Sequence, residues 1–408
     1  MAIYLDHAAT VPMSSEVLAA YVAALAVVGN PSSIHSQGQN AKRMLEEARE
    51  QVAASLGADS QEVTFTSGGT ESINLAIKGL FWARTASASD GRVAPGEQRA
   101  QRVSRPGRRI LIAAGEHHAT IDAAAWLATT EGAIVEEISV DSLGRIDLDV
   151  LERMLGPDVA LVSLLLANNE VGTIQPIHRV VELASRFDVP VHCDAVAAYG
   201  YLPIDFHASG LAAMSVSAHK IAGPVGVGAL IIARTANVVP LLHGGNQQRS
   251  RSGTQDAAGA VAFGVAAIRA AEGIEARQAG LRALRDRLVN GIRSAVPEAI
   301  LRGDPVDRLA GNVHFTFPGC EGDSLLFLLD VAGFSVSTGS ACQAGVPEAS
   351  HVLISMGVSE ADARGALRMT LGETTTEAEV DALLVALPGA VQRATAAGLA
   401  DRAVGSRA

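Results

Sequence analysis

Between about residue 60 and residue 235, short apolar runs rich in β-branched residues alternate with Ala- and Leu-rich stretches of helical texture. Seven runs read as strands, over 62–66, 109–113, 133–138, 160–166, 189–193, 212–216 and 226–232. They are close to continuously apolar, which predicts burial on both faces. Strands of that kind, separated by helices, fit an α/β fold with a mostly parallel sheet covered by helices. The stretch 85–108 interrupts this rhythm. It is rich in Ala, Ser, Arg, Gly and Pro, has no periodic apolar face, and reads as a surface insertion.

Beyond residue 235 the texture changes. A long Ala/Leu/Arg helical region covers 255–296, and strands follow at 312–317, 333–336 and 367–371. The last of these alternates as a half-buried strand does. Helices are expected over 321–330 and 376–393, which gives a second, smaller α+β domain. The expected division is a large domain over 16–257, a small domain from 1–15 and 258–396, and a flexible tail over 397–408.

Composition narrows the function classes. Apolar residues make up 48% and charged residues 18%, as in a globular chain with a large core. A net charge of −11 and 4% aromatic residues argue against a primary role on nucleic acid. No apolar run reaches the ~20 residues of a membrane span, and the first residues do not resemble a signal peptide. Three cysteines, Cys193, Cys320 and Cys342, cannot build a disulfide framework, and no metal-binding Cys-x-x-Cys occurs. The expected compartment is the reducing cytoplasm.

Lys220 is one of only three lysines among 32 basic residues. It follows Ser217-Ala-His219 and precedes Ile-Ala-Gly-Pro. An amine can lose its proton and attack a carbonyl, which a guanidinium cannot do. A lysine after an apolar strand and before a Gly/Pro turn suits a Schiff base. Ser67-Gly68-Gly69-Thr70-Glu71 joins a strand to a helix, where backbone amides and a helix N-terminus favour an anion. Asp194 ends an apolar strand, at the sheet edge where ligands of such folds bind. It suits either a protonated ring nitrogen or a helix cap. Glu116-His117-His118 follows another strand end, where an imidazole can stack on a ring or shuttle a proton. Asn168-Asn169-Glu170-Val-Gly172 reads as an amide ligand site or a turn. Cys342 lies in Ser337-Thr-Gly-Ser-Ala-Cys-Gln-Ala-Gly345, whose small neighbours leave a thiol accessible. Arg368 alternates against Leu367 and Met369 and points away from their apolar face, as a fork suited to a carboxylate or as a surface arginine.

In this order along the chain, the motifs resemble the cysteine desulfurases of the class V aminotransferase group, in the nitrogen-fixation and iron–sulfur-assembly branch. The resemblance begins at Tyr4-Leu-Asp-His-Ala-Ala-Thr10 and Gly29-Asn-Pro-Ser-Ser-Ile-His35. It continues through Thr66–Ser72, Glu116-His-His118, Asn168–Gly172, His192-Cys-Asp194 and Ser217–Lys220 to Arg251-Ser-Gly-Thr254, Thr338–Cys342 and Arg368. It implies a fold-type I transferase dependent on pyridoxal 5'-phosphate, acting on L-cysteine as a homodimer. It also implies a persulfide on Cys342, passed to a protein acceptor such as an iron–sulfur scaffold or sulfur carrier.

By position, the resemblance makes Lys220 the residue that bears the cofactor and moves the substrate α-proton. Cys342 is the nucleophile, and His117 stacks on the ring. Asp194 pairs with the ring nitrogen. Gly69, Thr70, Ser217 and His219 hold the phosphate, with Thr254 reaching in from the partner subunit. Asn169 and Arg368 bind the substrate carboxylate. No metal is expected. The form Gly339-Ser-Ala-Cys342 is similar to the first of the family's two groups.

Two positions depart from the family pattern. Ala197 stands where a glutamine usually bonds the cofactor's phenolic oxygen, and Gln248 where an acid is common. A selenocysteine lyase, another class V aminotransferase, or a catalytically weakened scaffold are the alternatives.

Overall fold

The computed structural model describes residues 2–89, 107–245, 247–339 and 349–405. Most of the 85–108 insertion, and Cys342, lie outside them. In chain order, β1 (Ile3–Tyr4), α1 (Ser15–Leu25) and α2 (Ser36–Ser55) lead into β2 (Val63–Thr66) and α3 (Gly69–Ser89). Next come β3 (Arg109–Ala113), α4 (His118–Glu131), β4 (Ile134–Ile138), α5 (Leu148–Met154), β5 (Val159–Leu165) and α6 (Ile177–Ser185). Strands β6 (Val191–Asp194), β7 (Ala213–Ser217) and β8 (Gly228–Ile232) follow, with α7 (Phe206–Ser209) between the first two.

These strands form one seven-stranded sheet in the order β2-β8-β7-β6-β5-β3-β4. Pairing is parallel from β7 through to β4, while β8 runs antiparallel to both β2 and β7. Except in the edge strand β4, where only Ile138 is buried and Ile134 is exposed, the near-continuous apolar strands are explained by packing on both sides. Leu161, Leu230 and Ile232 pack with Ile77 and Phe81 of α3 and Leu127 of α4. On the other face, Val162, Cys193 and Met214 join Leu45 of α2, Leu183 of α6 and Phe263.

The remaining chain is α8 (Ala257–Ala271), α9 (Ile274–Ala295), β9 (Ile300–Leu301), β10 (Asn312–Thr316), α10 (Gly322–Val331) and β11 (Phe334–Ser335). It closes with α11 (His351–Ser355), α12 (Glu360–Ala363), β12 (Ala366–Thr370) and α13 (Glu377–Gly405). The expected single helical region over 255–296 is two helices meeting at 72°, hinged at Gly273 with φ +63°. Strands β12, β10 and β9 form an antiparallel sheet, and β1 pairs in parallel with β11. A second core gathers Leu288 and Ile292 of α9, Leu325 and Leu329 of α10, and Leu383 and Leu387 of α13. Among the described residues, no single helix is long and apolar enough to cross a membrane.

Three further features differ from the sequence reading. Strand β12 is buried along its whole length instead of half-buried, because Arg368 faces other protein groups and not solvent. Helix α13 continues to Gly405 and so includes most of the stretch read as a tail. Helices α1 and α2 were not expected. The cap of α2 is His35, whose ring nitrogen accepts from the Gly38 N–H at 3.3 Å, so the usual Ser/Thr/Asp/Asn start signal is missing.

Candidate active site

The carboxyl ends of the parallel strands open into a cleft of about 1180 Å³, counting the part open to solvent. Gly69, Thr70, His117, Asn169, Asp194, His219, Lys220 and Arg368 all line it. They arrive from the ends of β2, β3, β5, β6 and β7, with Arg368 coming from β12.

Helix α3 opens on Gly69, and the first amides of a helix have no partner within it. Gly68 holds φ +146°, which only glycine adopts easily. A Cβ on Gly69 would stand 2.9 Å from Val196 Cγ2. The two glycines therefore let the backbone turn tightly above Val196 and leave room at the helix start. Ser217, the buried last residue of β7, lies beneath this turn.

Asp194 ends β6 in full burial, and its Oδ1 accepts from the Val196 N–H at 2.9 Å. It thus caps the following turn and lines the cleft at once. Burial pushes its carboxyl up to about 6, against the pull of that N–H and of Lys220. A buried carboxylate in this position favours a cationic partner. Glu116 stands nearby, with Oε1 accepting from the Leu165 N–H at 2.7 Å, and Leu165 is the register partner of Asp194. Burial, and then the proximity of Asp194, hold the Glu116 carboxyl well above the usual range.

His117 caps α4 through Nδ1, which accepts from the Ala119 N–H at 3.1 Å. Burial and the Lys220 charge lower it to about 4, so the ring is neutral at physiological pH. His219 is lowered to about 4 by the same two causes. Lys220 lies in a single 3-10 turn, Ala218–Ile221, and its ammonium donates to the carbonyls of Ala8 and Ala9. Arg368 donates from Nη1 to the Asn169 carbonyl and from Nη2 to Asp6, both at 3.0 Å.

Thr254 is exposed and does not line this chain's own cleft. Cys342 falls outside the described residues, but Gly339, at the edge of its segment, lines the cleft. Of the other cysteines, Cys193 is core and Cys320 is buried with its Sγ 3.1 Å from Thr395 Oγ1.

A match to the class V aminotransferase family spans residues 3–383. The chain belongs to this family. An IscS-like cysteine desulfurase of Mycobacterium tuberculosis is 51% identical over 97% of this chain and 98% of its own. A cysteine desulfurase IscS of Methanosarcina thermophila is 40% identical, over 96% and 92% respectively. Among solved structures, a NifS-like protein superposes with a TM-score of 0.85 at 34% identity, covering 96% of this chain and all of its own. Class V enzymes of this kind depend on pyridoxal phosphate.

Sequence reasoning assigned no role to several residues now seen around the cleft. Ala8 and Ala9 belong to the 4–10 motif, but they act through main-chain carbonyls, which side-chain chemistry does not reveal. Glu170 and His351 also line the cleft. His351 donates from Nε2 to the Glu116 carbonyl at 2.8 Å, and its ring lies 4.7 Å from that of His118. No motif flanks His351, so the sequence held no signal for it. Gln248 now has a physical reading. It bonds the main chain of Phe65 on both sides, accepting at 3.0 Å and donating at 2.7 Å, and an acid could only accept.

Proposed function

We propose that this protein is a pyridoxal-phosphate-dependent cysteine desulfurase, taking L-cysteine to L-alanine and leaving the sulfur as a persulfide on Cys342. The observation that carries the reading is the convergence of Lys220, Asp194, His117, Thr70 and Arg368 on one cleft.

The residues present suit the cofactor. A buried carboxylate lacking a full counter-charge, at Asp194, fits a pyridinium nitrogen. The glycine turn and the start of α3 fit a phosphate, with Ser217 and His219 beside them. A neutral His117 ring can stack on a cofactor ring. Bound there, pyridoxal phosphate supplies an electron sink for the substrate α-carbon. Lys220 attaches the cofactor and then moves the α-proton. Arg368 and Asn169 orient the substrate carboxylate. The Cys342 thiolate attacks the substrate sulfur. As the new S–S bond forms, the carbon–sulfur bond breaks, its electron pair stays with carbon, and carbon takes up a proton to give alanine.

The sulfur then passes to a protein acceptor, an iron–sulfur scaffold or a sulfur carrier. A reducing cytoplasm suits chemistry that depends on a free thiol. The working unit is a homodimer in which Thr254 completes the partner's phosphate site. The exposed apolar side chains of α1 and the turn beyond it, among them Val22, Leu25, Val28 and Ile34, favour an association face. Light scattering that gives a monomer would overturn the dimer.

The main test is mass spectrometry of the cofactor-loaded protein after adding L-cysteine, with alanine assayed in parallel. Persulfide on Cys342, matched by alanine and lost in Cys342→Ala, is expected. Bound cofactor with neither product would refute the activity.

A further inference from the structure

The guanidinium of Arg368 has a counter-charge behind it. Asp6 Oδ1 accepts from Nη2 at 3.0 Å, with 19% of the Asp6 side chain and 7% of the Arg368 side chain exposed. Arg368 lines the cleft, whereas Asp6 does not. Nη1 is turned to the Asn169 carbonyl, and Nε is buried without a partner. The guanidinium is therefore gripped from two sides. One hydrogen on each terminal nitrogen remains for a ligand.

Asp6 is itself fixed. It bridges to Thr370, two residues along β12 from Arg368. Its carbonyl accepts from the Tyr4 hydroxyl at 3.0 Å and from the Ala9 N–H at 3.0 Å. The same strap supplies the Ala8 and Ala9 carbonyls that hold the Lys220 ammonium. An anion arriving at Arg368 thus meets a cation already half-compensated, in a site where little water screens the third charge.

We propose that Asp6 is a positioning residue that sets carboxylate affinity: it orients the Arg368 fork and, by neutralising it from behind, keeps the grip on substrate and product loose. This rests on the reading of Arg368 as the carboxylate ligand. A tight grip would be wasted, because the product keeps the substrate's carboxylate, so binding that both share slows release without helping the chemistry. Charge and orientation make opposite predictions on substitution. Asp6→Asn keeps an oxygen acceptor for Nη2 and removes the charge. Asp6→Ala removes both.

The test titrates the cofactor-loaded protein with L-alanine and with L-alaninamide, which lacks the carboxylate, and reads the change in the cofactor's visible absorbance. In Asp6→Asn, L-alanine is expected to bind about five- to tenfold tighter, with KM for L-cysteine falling in parallel and alaninamide unchanged. In Asp6→Ala the gain is smaller or reversed, because the fork loses its brace. Arg368→Lys serves as the control and is expected to weaken alanine but not alaninamide. If Arg368→Lys weakens alanine while Asp6→Asn leaves it unchanged or weaker, the counter-charge role is wrong and the carboxylate role of Arg368 stands. If Arg368→Lys does not weaken alanine, the underlying assignment fails. A loss of both ligands in Asp6→Asn would make Asp6 merely structural and overturn the proposal.

Discussion

The side-chain amide of Gln248 brackets the main chain of Phe65, accepting from its N–H at 3.0 Å and donating to its carbonyl at 2.7 Å. Phe65 lies on β2, one of the two edge strands of the large sheet. One side chain thus takes the place of a neighbouring strand and closes an edge otherwise open to pairing. Arg49 donates to the same Oε1 at 3.4 Å and to the Val63 carbonyl at 2.7 Å. Gln248→Ala should therefore destabilise the protein by about 1–3 kcal/mol by leaving main-chain groups unpaired. Gln248→Glu should cost less, since it keeps the acceptor and gains Arg49, but it sets a carboxylate against the Phe65 carbonyl. Thermal unfolding of the three proteins tests this, and an Ala variant as stable as the parent would contradict it.

The buried carboxyl of Asp194 costs the fold stability. Its carboxyl rises from 3.8 to about 6 on folding, so the folded state favours the protonated form. The resulting cost is absent below about pH 4, grows as pH rises, and is complete above about pH 6, at about 3 kcal/mol. Asp194→Asn removes it. Without cofactor, the variant should melt higher than the parent at pH 7.5 and level with it near pH 4. With cofactor and cysteine it should turn over about a hundredfold slower or worse. Equal melting at both pH values would show that the burial cost is met by another group.

His192 pulls the other way. Nδ1 and Nε2 lie 2.9 Å from Ser163 Oγ and Ser215 Oγ respectively, forming a buried polar ladder across β5, β6 and β7. Burial lowers the imidazole from 6.5 to about 3. The unfolded chain takes up the proton first, so this stability is full above pH 6.5 and is lost as pH falls toward 3, by about 4–5 kcal/mol. His192→Gln should flatten the acid limb of the stability curve while lowering the plateau at neutral pH. An acid-unfolding midpoint that does not move would count against it.

Ala197 lines the cleft and also a smaller chamber beside it, with Tyr201, Asn169 and Lys220. A glutamine there would add a donor where the family pattern bonds the cofactor's phenolic oxygen. A donor favours the form with negative charge on that oxygen. In Ala197→Gln, the pH at which the visible absorbance titrates should therefore fall. An unchanged titration would mean that Ala197 has no bearing on the cofactor's proton affinity.

The large sheet was legible because strands such as 160–166 are apolar at almost every position, and only burial on both faces explains that. The direction of β8 was not legible, since an apolar run reads the same both ways. Lys220, Asp194 and His117 stood out because each reactive side chain ends or follows an apolar strand. Asp6 did not, because its effect depends on Arg368, 362 residues away. His35 at the head of α2 and the carbonyls of Ala8 and Ala9 escaped for a related reason: their work is done by groups that residue type does not advertise.

The strap at residues 6–10 carries a consequence for biogenesis. It leaves the ribosome well before its partners Arg368 and Thr370, since Arg368 follows Asp6 by 362 residues. A nascent chain can pair the seven strands and pack both faces long before the arginine arrives. At about 5–20 residues per second, the more than a hundred residues between Lys220 and Arg368 take several seconds or more to make, and for that time one wall of the cleft is missing. The strap must meanwhile be kept from other partners until β12 is made and supplies Arg368 and Thr370.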